Sequence, residues 1–98
     1  MSAEPLRVLV VDDHPLVRFA LRELLDRRCR PVHVGEAGDA AGALSTLRTD
    51  PWDIMILDVT LGDDDGLRVL RDARHQCPEV PVLMLSVHPS ARYAQQAL

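Results

Sequence analysis

Four short apolar runs, at Leu6–Val11, residues 32–36, residues 53–57 and Val82–Leu85, alternate with longer stretches whose apolar residues recur every three or four positions. This strict alternation is the strongest constraint on the fold. Strands interleaved with helices run parallel, are joined by right-handed crossovers and are covered by those helices. The first run is apolar except for Arg7, as expected of a strand buried on both faces. With 98 residues the chain has room for one domain and one core.

The intervening stretches carry helix signals. Pro15 stands at a first helical position, with Asp13 or His14 near the N-cap. Leu16, Val17, Ala20, Leu21, Leu24 and Leu25 then predict the inner face of a helix running to about Arg28. Arg18, Arg22, Glu23 and Asp26 fall largely on its water side, and Arg27 and Arg28 suit its C-terminal dipole. Asp39 is a natural N-cap for a second helix over residues 40–48, with Ala40, Ala43, Leu44 and Leu47 inward and Pro51 as its stop. Trp52 stands at the entrance of the third strand and reads as a core or interface packing residue. Asp65 and Gly66 open a third helix, with Leu67, Leu70 and Ala73 inward and Arg68, Arg71 and Asp72 outward. Pro78 and Pro81 bracket the loop before the fourth strand. Pro89 or Ser90 starts a last helix that reaches Leu98.

Composition excludes several functions. At 47% apolar residues the chain is not a disordered one. Its net charge is −4, and all its positive charge is arginine, with no lysine anywhere. An acidic balance argues against binding nucleic acid directly, which needs a basic face to neutralise phosphates. Cys29 and Cys77 lie far apart, without metal-ligand spacing, and read as idle thiols in a reducing compartment. There is no leader-like start and no membrane-length apolar run, so a cytoplasmic location away from membranes is expected.

The chemistry sits at the ends of the strands. Asp12 and Asp13 close the first run, Asp58 closes the third and Ser86 the fourth. A strand order of 2-1-3-4 brings all of them to one carboxyl edge, beside the switch point where open α/β sheets bind ligands. Converging carboxylates repel one another, and a hard divalent cation such as Mg2+ relieves the repulsion. Asp13 and Asp58 would hold it, with Asp12 acting directly or through water. Asp58 would also be the nucleophile in a phosphoryl transfer, and Ser86 a hydrogen-bond donor to a phosphoryl oxygen. Taken singly, Asp12 and Asp13 could cap a helix and Asp58 could end a strand in solvent; their joint occurrence favours a site. His14 reads as a surface or capping residue, not a metal ligand. Residues 63–65 imitate a calcium loop around Gly66, but Leu61 would then occupy its first ligand position, so they read as a solvated turn.

The stretches V-L-V-V-D-D-H-P-L-V-R, I-M-I-L-D-V-T-L-G-D-D-D-G-L and V-P-V-L-M-L-S-V-H resemble the receiver domains of bacterial two-component response regulators. The D-D-H-P-L-V-R start is similar to the LuxR/NarL type. The resemblance implies a flavodoxin-like doubly wound sheet and phosphorylation of Asp58 by a sensor histidine kinase. It implies Mg2+ on Asp12, Asp13, Asp58 and the main-chain carbonyl of Thr60, and a switch role for the Ser86 hydroxyl. Thr60 and His88 take positions that influence the lifetime of the acyl phosphate, and Tyr93 lies on the signalling face. The output implied is DNA binding through a separate domain outside these residues. Two departures stand out. Gly62 replaces a usual proline, and the family's lysine-bearing fifth strand and fifth helix have no counterpart in the 98 residues. The chain therefore reads as a receiver incomplete at its C-terminus, a fragment or one completed by a homodimer or swapped dimer. The competing reading is a phosphorylation-independent dimerisation or decoy module.

Overall fold

In the computed structural model every strand pairs in parallel. The strands are β1 (Leu6–Val11), β2 (Val32–Ala37), β3 (Ile54–Asp58) and β4 (Val82–Leu85), in the order β2-β1-β3-β4. The helices are α1 (Pro15–Arg28), α2 (Ala40–Thr49) and α3 (Gly66–Gln76). The structure describes residues 4–59 and 66–85. The expected last helix, with Thr60, Gly62, Ser86, His88 and Tyr93, lies outside the described residues. Among the described residues no helix is long and apolar enough to cross a membrane.

Strand periodicity sorts the core into two layers. On one face Leu9, Val11, Met55 and Leu57 pack with Ala40, Ala43 and Leu47 of α2 and Val69 and Ala73 of α3. On the other face Val8, Val10 and Ile56 meet Leu21 and Leu25 of α1. β1 is the spine of both layers, with Val8, Leu9 and Val10 wholly buried, and each such side chain contributes roughly 1.5–3 kcal/mol by leaving water.

Two helix faces differ from expectation. α1 has no buried residue: Leu16 is 81% exposed, and Ala20, Phe19 and Leu24 also face solvent. Among the described residues α1 is the one helix on its side of the sheet, so its apolar stripe is wider than the contact it makes. In α3 the inward residues are Gly66, Val69 and Ala73, with Leu70 half-buried; Leu67 points outward. Counting back from Ala73 in steps of four and three reaches Val69 and Gly66 and passes over Leu67. The α2 face is as expected, and the Asp39 carboxylate caps α2 by accepting from Gly42 N at 2.7 Å. β3 begins one residue later than the apolar run suggests. Asp53 instead braces the start of β1, its carboxylate accepting from Arg7 N at 2.8 Å.

Two glycines are required by close approach. The Trp52 ring is buried over Gly35, where an added Cβ would meet ring carbon Cζ2 at 3.0 Å and run into Cη2. The ring is fixed by its Nε1–H donating to Thr46 O at 3.0 Å, and by His33 stacked at 5.9 Å and the Arg7 guanidinium at 5.1 Å. A Cβ on Gly66 would stand 2.6 Å from the Asp58 carbonyl oxygen, so only glycine lets α3 start this close to the end of β3.

Gly35→Ala is expected to destabilise the fold by about 1–3 kcal/mol through overpacking. Urea unfolding followed by circular dichroism checks this, and pairing it with Trp52→Leu should recover part of the loss.

Candidate functional site

The register fixes where the acids meet. Val11 of β1 pairs with Leu57 of β3, so the next rung is Asp12 beside Asp58, on strands that run about 4.8 Å apart. Asp12 N donates to Ala37 O at 3.0 Å, which extends the β1–β2 ladder to the acid itself. Asp12 is 1% exposed and Asp58 2%, the two buried charged residues among those described. Such burial of carboxylates is costly unless the charge is compensated.

Local hydrogen bonds hold the turn after β1. Asp12 Oδ1 accepts from the His14 backbone N at 2.8 Å, and the His14 ring Nδ1 stands 3.1 Å from the same oxygen. The same Nδ1 lies 2.8 Å from Asp13 Oδ1. The hydrogen bond to Asp12, aided by the charge of Asp13, raises the His14 pKa above its usual 6.5, against a smaller opposing effect of burial. His14 occupies the N-cap position of α1, but its side chain makes no capping bond and turns back to the acids. It is thus the surface residue expected at the start of α1, but its ring pairs with the acids and does not cap the helix.

Behind the turn stands an arginine–glutamate pair that the sequence did not point to. Arg18 Nη1 donates to the Asp12 carbonyl oxygen at 2.6 Å, and its Nε to Glu36 Oε1 at 3.0 Å. Arg22 Nε donates to the other Glu36 oxygen at 2.9 Å. Arg18, expected on the water side of α1, thus ties the acidic turn to the end of β2. The one available signal was the position of Glu36 near the carboxyl end of the second strand.

Asp12, Asp13, His14 and Asp58 each offer a ligand atom within 4.8 Å of the others. Asp13 Oδ1 is shielded from solvent and accepts no hydrogen bond. Two buried carboxylates, with a shielded Asp13 oxygen that has the His14 ring beside it, fit a hard divalent cation, which takes oxygen ligands and cancels their repulsion. The sequence-predicted Asp12, Asp13 and Asp58 are therefore brought together. Thr60 and Ser86 lie outside the described residues. The large open groove at the other end of the sheet, about 970 Å³ and lined by Leu6, Arg7, Cys29, Arg30 and Asp53, is remote from these acids.

Comparison with known proteins agrees with this architecture. The family model for the response regulator receiver domain matches residues 8–98. The nitrate/nitrite response regulator NarP of Escherichia coli K12 is 34% identical over 88% of this chain and 40% of its own length. A two-component response regulator of the LuxR family from Aurantimonas superposes with a TM-score of 0.78 at 33% identity, covering 96% of this chain and 67% of that one. The response regulator TrrA of Thermotoga maritima, solved in complex with Mg2+-BeF, superposes with a TM-score of 0.77 at 27% identity, covering 90% and 75%. TrrA solved with the histidine kinase ThkA gives a TM-score of 0.76 at 28% identity, covering 85% and 70%. The chain spans less than half the length of the curated relatives it matches. With the parallel 2-1-3-4 sheet, the acidic edge and these matches together, the chain belongs to the receiver domains of two-component response regulators, and its relatives are of the LuxR/NarL type.

Proposed function

We propose that Asp58 accepts a phosphoryl group from a sensor histidine kinase, and that Asp12, Asp13 and Asp58 hold the Mg2+ this transfer needs. The observation that carries the reading is the pair of buried carboxylates on adjacent strands, with the solvent-shielded Asp13 oxygen beside them. A TrrA structure with Mg2+-BeF and another with a kinase support it by similarity.

An Asp58 carboxylate oxygen attacks phosphorus, the bond from phosphorus to the donor imidazole nitrogen breaks, and that imidazole leaves as the neutral base after gaining a proton. The product is an acyl phosphate on Asp58. Asp12, Asp13 and Asp58 would hold Mg2+, which would supply the positive charge that offsets the incoming phosphoryl oxygens. Arg18 and Glu36 fix the backbone that presents Asp12, so the acids need little rearrangement. The Thr60 carbonyl completes the metal set in this reading, and Ser86 takes up the phosphoryl oxygen and pulls on the loop after β4. The phosphoryl group switches the protein by favouring one state over another. The output is DNA binding by a domain outside these residues, within a cytoplasmic two-component pathway. The phosphorylation-independent dimerisation or decoy module remains as the competing reading, and predicts that a phosphodonor changes neither mass nor elution volume.

Incubation with Mg2+ and a small phosphodonor should add one phosphoryl group by intact-mass spectrometry, and Asp58→Asn should abolish it. A folded wild-type protein that stays unmodified would reject the reading. Mg2+ alone should also stabilise the fold, by about 2.7 kcal/mol at a hundred times its dissociation constant. In Asp13→Asn that gain should largely vanish, as read from urea midpoints with and without Mg2+.

A further inference from the structure

Resting on the reading above, we propose that His14 becomes a nitrogen ligand when a first-row transition dication occupies that cation site. The site then prefers first-row transition dications that accept imidazole over Mg2+. His14 Nδ1 lies 3.1 Å from Asp12 Oδ1 and 2.8 Å from Asp13 Oδ1. Adjacent ligands of an octahedral cation with bonds of ~2.1 Å stand about 3 Å apart, so both separations have the length of a shared coordination edge. An Asp58 oxygen lies within 4.8 Å of the other donors, close enough for one ion to reach all four residues.

The hydrogen-bond arrangement points the same way. The ring nitrogen stands between two carboxylates, in hydrogen-bonding geometry with Asp12 Oδ1 and paired with the nearer, solvent-shielded Asp13 Oδ1. One proton on Nδ1 has to be shared between two carboxylates. A cation among the three atoms serves all of them.

The backbone presets this orientation. His14 N is held by Asp12 Oδ1 at 2.8 Å, Pro15 follows at once, and the ring is not engaged as a helix cap. Mg2+ keeps oxygen ligands and water, whereas imidazole suits the transition ions. With Mg2+ in place the ring is a neighbour; with a transition ion it becomes a ligand.

The test uses Mn2+ as probe on the 98-residue protein, at pH about 8, where the metal competes well with the proton for imidazole. Electron spin echo modulation should show a directly bound nitrogen in the wild type and lose it in both His14→Ala and His14→Gln. Competition should show the Mn2+-over-Mg2+ affinity ratio falling about tenfold in both variants, through lost Mn2+ affinity with Mg2+ affinity unchanged. Circular dichroism establishes that the variants fold, as expected because the backbone bond to Asp12 remains. If Mn2+ binds in an Asp13-dependent way without a nitrogen signal, or both variants keep the signal, this proposal fails and the acidic-site reading stands. If no bound Mn2+ responds to Asp13→Asn, both fail.

Discussion

Two buried carboxylates facing each other on one rung of a parallel sheet govern this structure. Asp12 and Asp58 follow the pair Val11 and Leu57, so the same register that buries the apolar spine also sets the acids side by side. The apolar contacts of β1 and β3 hold them there against their repulsion. Stability gained along the strands is thus partly given up at the edge. Fold and chemistry are the two ends of one ladder.

Much of this was legible in the residues. Each strand is a short apolar run, each helix has a periodic stripe, and the acids terminate runs; those signals are local and survive folding unchanged. The order β2-β1-β3-β4 followed from asking which arrangement lets the acids share a pocket. What escaped was non-local. Periodicity says which side of α1 is apolar but not how much of it the sheet covers, and so Leu16 and Leu24 were assigned inward. In α3 two apolar stripes compete, and packing under β3 chose Val69 over Leu67. Asp12, Asp13 and Asp58 were read correctly as neighbours, whereas Arg18 was not seen to reach them, because a long side chain can reach back over a turn without leaving any period in the sequence.

That arginine changes how the acidic turn is understood. A carboxylate pair on a loose loop would splay to relieve its own charge. Here the Asp12 carbonyl is clamped by Arg18, itself held by Glu36, and Arg22 grips the other Glu36 oxygen. The end of β2, the start of α1 and the turn after β1 are thereby joined as one piece. Gly38 beside it has little room for a side chain, since a Cβ there would stand 3.2 Å from Arg18 Nη1.

Trp52, the chain's single tryptophan, adjoins the amino end of β3, six residues from Asp58, a distance of roughly 20 Å along an extended strand. Its indole is packed on Gly35 and anchored to Thr46, away from the acids. As an intrinsic fluorophore it therefore reports the integrity of the sheet's far end and is insulated from events at the acidic edge. An emission change on adding a phosphodonor would signify a disturbance carried through the whole length of the central strand.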